Sequence, residues 1–123
     1  MNMAIIGGRD FNDYNLMVQT INNYLLSKSI DFSMVDYIIS GGAKGADSLG
    51  EIYAREFNIK TIIFLPNWEK YNKSAGFIRN QDIINKSDII FAFWDGKSKG
   101  TKHSIDIATK QNKKIIITKY LKL

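Results

Sequence analysis

The chain has 123 residues, 45% hydrophobic and 24% charged, with 17 basic against 12 acidic side chains for a net charge of +5. That length suits one core, which predicts a single domain over residues 1–123, and the composition excludes wholesale disorder. Zero cysteines exclude disulfides and thiolate chemistry, one histidine (His103) argues against a histidine metal cluster, and no apolar run approaches the ~20 residues of a membrane span.

In chain order, Met3–Ile6 is short and apolar and runs into Gly7-Gly8, the pattern of a buried strand ending in a loop. Asp13 to Ser29 carries Met17, Ile21, Tyr24 and Leu25 at helical spacing. Val35–Ile39 reads as the second strand, Ser40–Gly45 as a tight loop, and Ala46–Phe57 as a helix with Leu49, Tyr53 and Phe57 facing inward. Thr61–Leu65 is a third strand, stopped by the lone proline, Pro66. After a loop with Trp68 and Tyr71, Ser74 is placed to cap a helix reaching Lys86. Asp88–Phe93 is the fourth strand, Asp95–Thr101 a loop, Lys102–Gln111 a helix and Lys114–Thr118 a fifth strand. Alternating strands and helices, with the strands apolar on both faces, predict a Rossmann-like, doubly wound and mainly parallel five-stranded sheet covered on two sides.

Ligands of such sheets bind outside the carboxyl ends of the strands. Here those ends carry Gly7-Gly8-Arg9-Asp10-Phe11, then Ser40-Gly41-Gly42-Ala43-Lys44-Gly45-Ala46-Asp47, then Asp95-Gly96-Lys97-Ser98-Lys99-Gly100-Thr101. Glycine lets backbone N–H groups approach an anion, and a following helix N-terminus adds partial positive charge, a combination that suits phosphate. Neither the Gly-x-Gly-x-x-Gly dinucleotide fingerprint nor the P-loop pattern is present, which disfavours an ordinary dinucleotide-binding domain and an ATPase. Only three of the basic residues are arginines, and Arg9 and Arg79 lie beside glycine-containing segments, where a planar guanidinium serves bidentate recognition of phosphate.

The three loops, together with Trp68 and Tyr71, Ala75-Gly76-Phe77-Ile78-Arg79-Asn80 and Gly100-Thr101, resemble the YspA-like, YpsA-related branch of the SLOG superfamily from about Met3 to Ile117. The resemblance implies a Rossmann-like domain that binds nucleotides or nucleotide-derived ligands, and an assembly of two or more copies. Its relatives include the Lonely guy phosphoribohydrolases and the single-strand-binding DprA/Smf proteins. The phosphoribohydrolases are similar in a Gly-Gly-x-Gly-Thr-x-x-Glu motif whose glutamate serves catalysis. Here Ser104 stands at the place of that glutamate, and a hydroxyl cannot supply a carboxylate's charge to an oxocarbenium-like transition state.

The ligand-binding candidates on the first loop are Gly8, Arg9 and Asp10, the last serving either a ribose hydroxyl or the loop's own amides. On the second they are Ser40, Gly41, Gly42, Ala43, Gly45 and Asp47, where an acid in a helix's first turn is also ordinary capping chemistry. Trp68 offers a stacking face or a packing contact, Arg79 and Asn80 a binding or dimer contact, and Gly100 with Thr101 a phosphate seat at a helix start. These features favour non-catalytic sensing or sequestration of a nucleotide-derived ligand, which can bring Mg²⁺ on its phosphates, without a catalytic residue or a resident metal. The alternatives are hydrolysis of a nucleotide's N-glycosidic or phosphate bond using Asp10, Asp47 or Asp95, and single-stranded nucleic-acid binding, which +5 and the DprA-like second loop support. With no basic segment ahead of a long apolar one at Met1, a cytoplasmic protein away from membranes is expected.

Overall fold

In the computed structural model, which describes residues 1–121, five strands form one sheet in the order β3-β2-β1-β4-β5, every neighbouring pair parallel. β1 (Asn2–Gly7) is central, β2 (Tyr37–Ser40) and β3 (Lys60–Ile63) extend it on one side, and β4 (Ile89–Trp94) and β5 (Lys114–Lys119) on the other. Between them run α1 (Tyr14–Ser27), α2 (Ala46–Glu56), a single turn α3 (Trp68–Tyr71), α4 (Ala75–Lys86) and α5 (Lys99–Lys110). This is the doubly wound arrangement expected from the alternation of strand and helix patterns.

The period-two geometry of a strand sends successive side chains to opposite faces, and the two faces bury separate clusters. Met3, Ile5, Ile38, Phe91 and Phe93 join Met17, Ile21 and Leu25 of α1 and Tyr53 and Ala54 of α2. Ala4, Ile6, Ile39, Ile90 and Ala92 join Ile83 and Ile84 of α4 and Ile105 and Ala108 of α5. Each large side chain so buried contributes roughly 1.5–3 kcal/mol, which fixes the register Ala4↔Ile90 and Ile5↔Phe91, because a one-residue slip would exchange the faces. The chain winds outward from β1 to β3, then crosses back through α3 and α4 to place β4 against β1 on its free side. The segments leaving β1 and β4 therefore diverge, and a crevice opens between them.

Ile63 at the end of β3 and Ile117 of β5, on the two edge strands, are each 44% exposed. Four local expectations need correction. β2 starts at Tyr37 and not Val35, because Val35 closes a 3₁₀ turn over Phe32–Met34. β3 ends at Ile63 and not Leu65, although the Phe64 amide still reaches the Ser40 carbonyl at 2.9 Å. Ser74 makes no side-chain cap; the chain arrives there already helical, after α3 and a 3₁₀ turn over Asn72–Ser74. The last helix starts at Lys99, three residues early, because Ser98 caps it, and Gly100 and Thr101 thus sit in its first turn.

Candidate functional site

The first two loops are joined backbone to backbone. The Gly8 carbonyl accepts from the amides of Phe11 at 3.3 Å and Ala46 at 3.1 Å, tying the end of β1 to the start of α2. Gly45 makes this approach feasible: its φ is +78°, and a Cβ there would stand 2.3 Å from the Gly8 carbonyl oxygen. Beyond it, Phe11 stacks on Phe93 with centroids 4.8 Å apart and meets Tyr120 edge-on at 5.0 Å. The Tyr120 hydroxyl donates to the Asp10 carboxylate, and burial, with that carboxylate second, raises the phenol's pKa well above its ordinary value.

The second loop is pinned from beneath. Ser40 is fully buried; its hydroxyl accepts from the Gly42 amide at 3.2 Å and donates to Glu51 at 3.0 Å. Asp47, in the first turn of α2, accepts the Ala43 amide at 3.1 Å and is itself buried. Burial pushes its pKa up to about 6, against the opposing pull of the Ala43 amide and the Arg79 guanidinium. Arg79 projects from α4 into the same region, donating through Nη1 to the Gly41 carbonyl and through Nε to Asn80 at 3.1 Å. Its half-buried guanidinium has a lowered pKa, first from desolvation and then from Arg9, with Asp47 opposing.

The third loop folds on its own acid. Asp95 accepts the amides of Lys97 and Ser98, both at 2.8 Å, an Asx turn that delivers Ser98 as the cap of α5. The Ser98 hydroxyl lies 3.2 Å from that of Thr101, and the first amides of α5 fall in the turn that intrahelical bonds cannot satisfy. Asn80 bridges α4 to this helix, its amide nitrogen 3.4 Å from the Gly100 carbonyl and 3.5 Å from His103 Nδ1.

A cleft of about 710 Å³ lies between these walls, with Ile6, Ile83 and Ser104 among its buried lining residues. Of the residues singled out from the sequence, Gly8, Arg9, Asp10, Ala43, Asp47, Arg79, Asn80, Gly100 and Thr101 line it. Gly41, Gly42 and Trp68 line an adjoining groove, while Ser40 and Gly45 hold the loops from behind. Sequence reasoning missed Lys97 and Ser98, which also line the cleft, and Glu51, the partner of Ser40. Ser98 had a signal, since a serine ahead of a helical pattern is a cap, but starting the helix at Lys102 hid it. Cations from Arg9, Arg79 and Lys97 face carboxylates from Asp10, Asp47 and Asp95, so the cleft is mixed in charge, with its guanidiniums on the side toward the groove.

The family described as YspA, cpYpsA-related SLOG matches residues 1–71, more than half of the chain and the whole of the first two loops. The chain belongs to that family. This SLOG chain is also similar to the Gene 61 protein of Mycobacterium phage D29, at 33% identity over 79 residues that make up 59% of the chain and 63% of the relative. It thus spans less than two thirds of that relative's length. Family membership points toward nucleotide-type ligands. Arg79, Asn80, Gly100 and Thr101 lie beyond the matched residues, on the part of the cleft built by α4 and α5. Among the described residues no helix is long and apolar enough to cross a membrane.

Proposed function

We propose that this SLOG domain binds a nucleotide or nucleotide-derived ligand in the 710 Å³ cleft without transforming it, as a sensor or a sequestering protein. The observation that carries the reading is the convergence of three strand-end loops with Arg9 and Arg79 around one cleft where Ser104, not a carboxylate, follows Gly100-Thr101. A phosphate placed among Arg9, Arg79 and the first turn of α5 meets two planar cations and a helix N-terminus together. Each nearby aspartate is already engaged in holding a loop: Asp10 with Tyr120, Asp47 with Ala43, Asp95 with two amides. In this reading any Mg²⁺ comes in on the ligand's phosphates.

One observation favours a second reading. Asp47 has a pKa near 6, the range in which a carboxyl can both give and take a proton at neutral pH, so hydrolysis of a nucleotide's glycosidic or phosphate bond remains the competing chemistry. Native mass spectrometry of protein purified from cells, paired with an assay for release of base or phosphate from nucleoside monophosphates, separates the two. A retained mass of nucleotide size with no turnover is expected. Turnover that Asp47→Ala abolishes would establish the enzyme instead.

A further inference from the structure

We propose that the groove walled by Leu65, Trp68 and Phe77 is a subsite for the heteroaromatic base of the ligand whose phosphate reaches Arg9 and Arg79; this rests on the nucleotide-binding reading and adds where the base lies. The groove encloses about 580 Å³ beside the cleft, and Arg9, Ala43, Arg79, Asn80 and Gly100 line both. Its inner end is therefore the guanidinium side of the cleft, while its outer walls are apolar. Leu65 is 70% exposed, Trp68 56% and Phe77 51%. Three large apolar side chains left in water around one groove mark a surface that gains by being covered.

The walls are positioned, not loose. Trp68 begins the turn of α3, whose cap Asn67 accepts the Lys70 amide at 3.1 Å. Phe77 is braced edge-on by the His103 ring with centroids 4.5 Å apart. Small residues keep the space open between them. A Cβ on Gly76 would stand 3.9 Å from the tip of the Trp68 ring, and one on Gly42, where φ is +72°, would stand 2.6 Å from a Leu65 methyl. Rigid aromatic faces over a floor of glycine suit a flat ring. The two guanidiniums at the inner end repel each other and have the buried Asp47 carboxyl as a shared partner. They favour a ring tethered to an anion over the other candidate occupant, a second copy of this chain, whose apolar contact would add no negative charge there.

Calorimetric titration of the full chain with AMP, GMP, CMP and UMP, and with ribose 5-phosphate as the probe lacking a base, tests the assignment on wild type, Trp68→Ala, Trp68→Phe, Phe77→Ala and Arg9→Ala. The tightest-binding monophosphate should lose about tenfold in affinity in Trp68→Ala and less in Trp68→Phe, while ribose 5-phosphate is held equally by all three. Arg9→Ala should weaken both kinds of probe. Monophosphate affinity unchanged in both Trp68→Ala and Phe77→Ala, or an equal loss for ribose 5-phosphate, overturns the base subsite while leaving nucleotide binding in place. A wild-type dimer that Trp68→Ala separates in sedimentation, with monophosphate affinity unmoved, gives the groove to a second copy and overturns it too. Wild-type protein that binds none of the five probes removes the nucleotide reading itself, and the subsite with it.

Discussion

The two sides of the cleft are made in different ways. On the side of β1, β2 and α2, the wall is built on locked backbone from which Arg9 projects: Gly8 receives Ala46, Gly45 presses against the Gly8 carbonyl, Ser40 and Asp47 turn inward to hold the Gly42 and Ala43 amides, and Glu51 holds the Ser40 hydroxyl. On the side of α4 and α5, the wall is mainly side chain: Arg79, Asn80, Thr101 and Ser104 project from the two helices, and the free first-turn amides of α5 are its one backbone contribution. A backbone wall is intolerant of any added atom but indifferent to most chemistry at exposed positions. A side-chain wall can change what it recognises without refolding. The family match covers the backbone side and stops before Arg79, so the two sides also differ in how far the matched family accounts for them.

The largest expected effect tests the backbone side. Gly45→Val must place a Cβ 2.3 Å from a carbonyl oxygen at a φ of +78°, and neither atom can move without parting β1 from α2. Strain of 1–3 kcal/mol for the dihedral plus the clash should remove on the order of 3 kcal/mol or more of stability. Urea unfolding monitored by circular dichroism measures it, and a loss under 1 kcal/mol would show that the loops are not locked as described.

The next effect tests recognition by side chains. Arg9 is exposed at the loop tip, so its removal should leave the melting temperature almost unchanged. If it forks onto a ligand phosphate, Arg9→Ala should weaken nucleotide binding by about 2–3 kcal/mol, and Arg9→Lys by roughly tenfold, since lysine keeps the charge but loses the fork. Calorimetric titration next to thermal melts gives both numbers. Unchanged affinity in Arg9→Ala would take Arg9 out of the site, and a fall in stability would make it a structural residue.

The asymmetry between the two walls also explains what could be read from the sequence. The strands and the first two loops were legible because apolar runs ending in glycine are local signals: Met3–Ile6 before Gly7, and Val35–Ile39 before Ser40-Gly41-Gly42. Gathering at one sheet edge followed from the parallel topology alone. What could not be read is where long-range partners decide the role of a residue. Ser40 stands in a glycine loop at a strand end, a position that suggests a ligand contact, and the fold buries it as a pin between the Gly42 amide and Glu51. Asp10 was open between a ribose and the loop's own amides, but Tyr120, 110 residues away, donates to it. The early start of α5 depended on the Asp95 turn, which puts Ser98 rather than Thr101 at the cap. Ile63, Leu65 and Phe77 fit apolar patterns, yet their exposure depends on being at a sheet edge or beside an open groove.

The smallest expected effect lies where the two walls meet. Asp47 is buried, and its pKa is raised from 3.8 to about 6 mainly because burial disfavours the carboxylate. A raised acid binds its proton more tightly in the folded state than in the unfolded one, so its favourable contribution is complete below about pH 4 and is lost as the pH rises through about 6. Asp47→Asn keeps an oxygen for the Ala43 amide and removes the ionisation. The variant should therefore be more stable than wild type at pH 8, by on the order of 1–2 kcal/mol, with the advantage closing as the pH falls from 6 to 4. An anionic ligand adds a second consequence, because an ionised Asp47 repels it and a protonated one does not. Wild-type affinity for a nucleotide should then improve on acidification through pH 6 relative to Asp47→Asn, the variant serving to cancel the phosphate's own titration near the same pH. Urea unfolding and calorimetric titration of both proteins at pH 5, 6.5 and 8 read the two effects. Parallel pH profiles in both measurements would mean that Asp47 is ionised throughout, held by Arg79 more strongly than burial opposes it, and that the two walls do not exchange charge across the cleft.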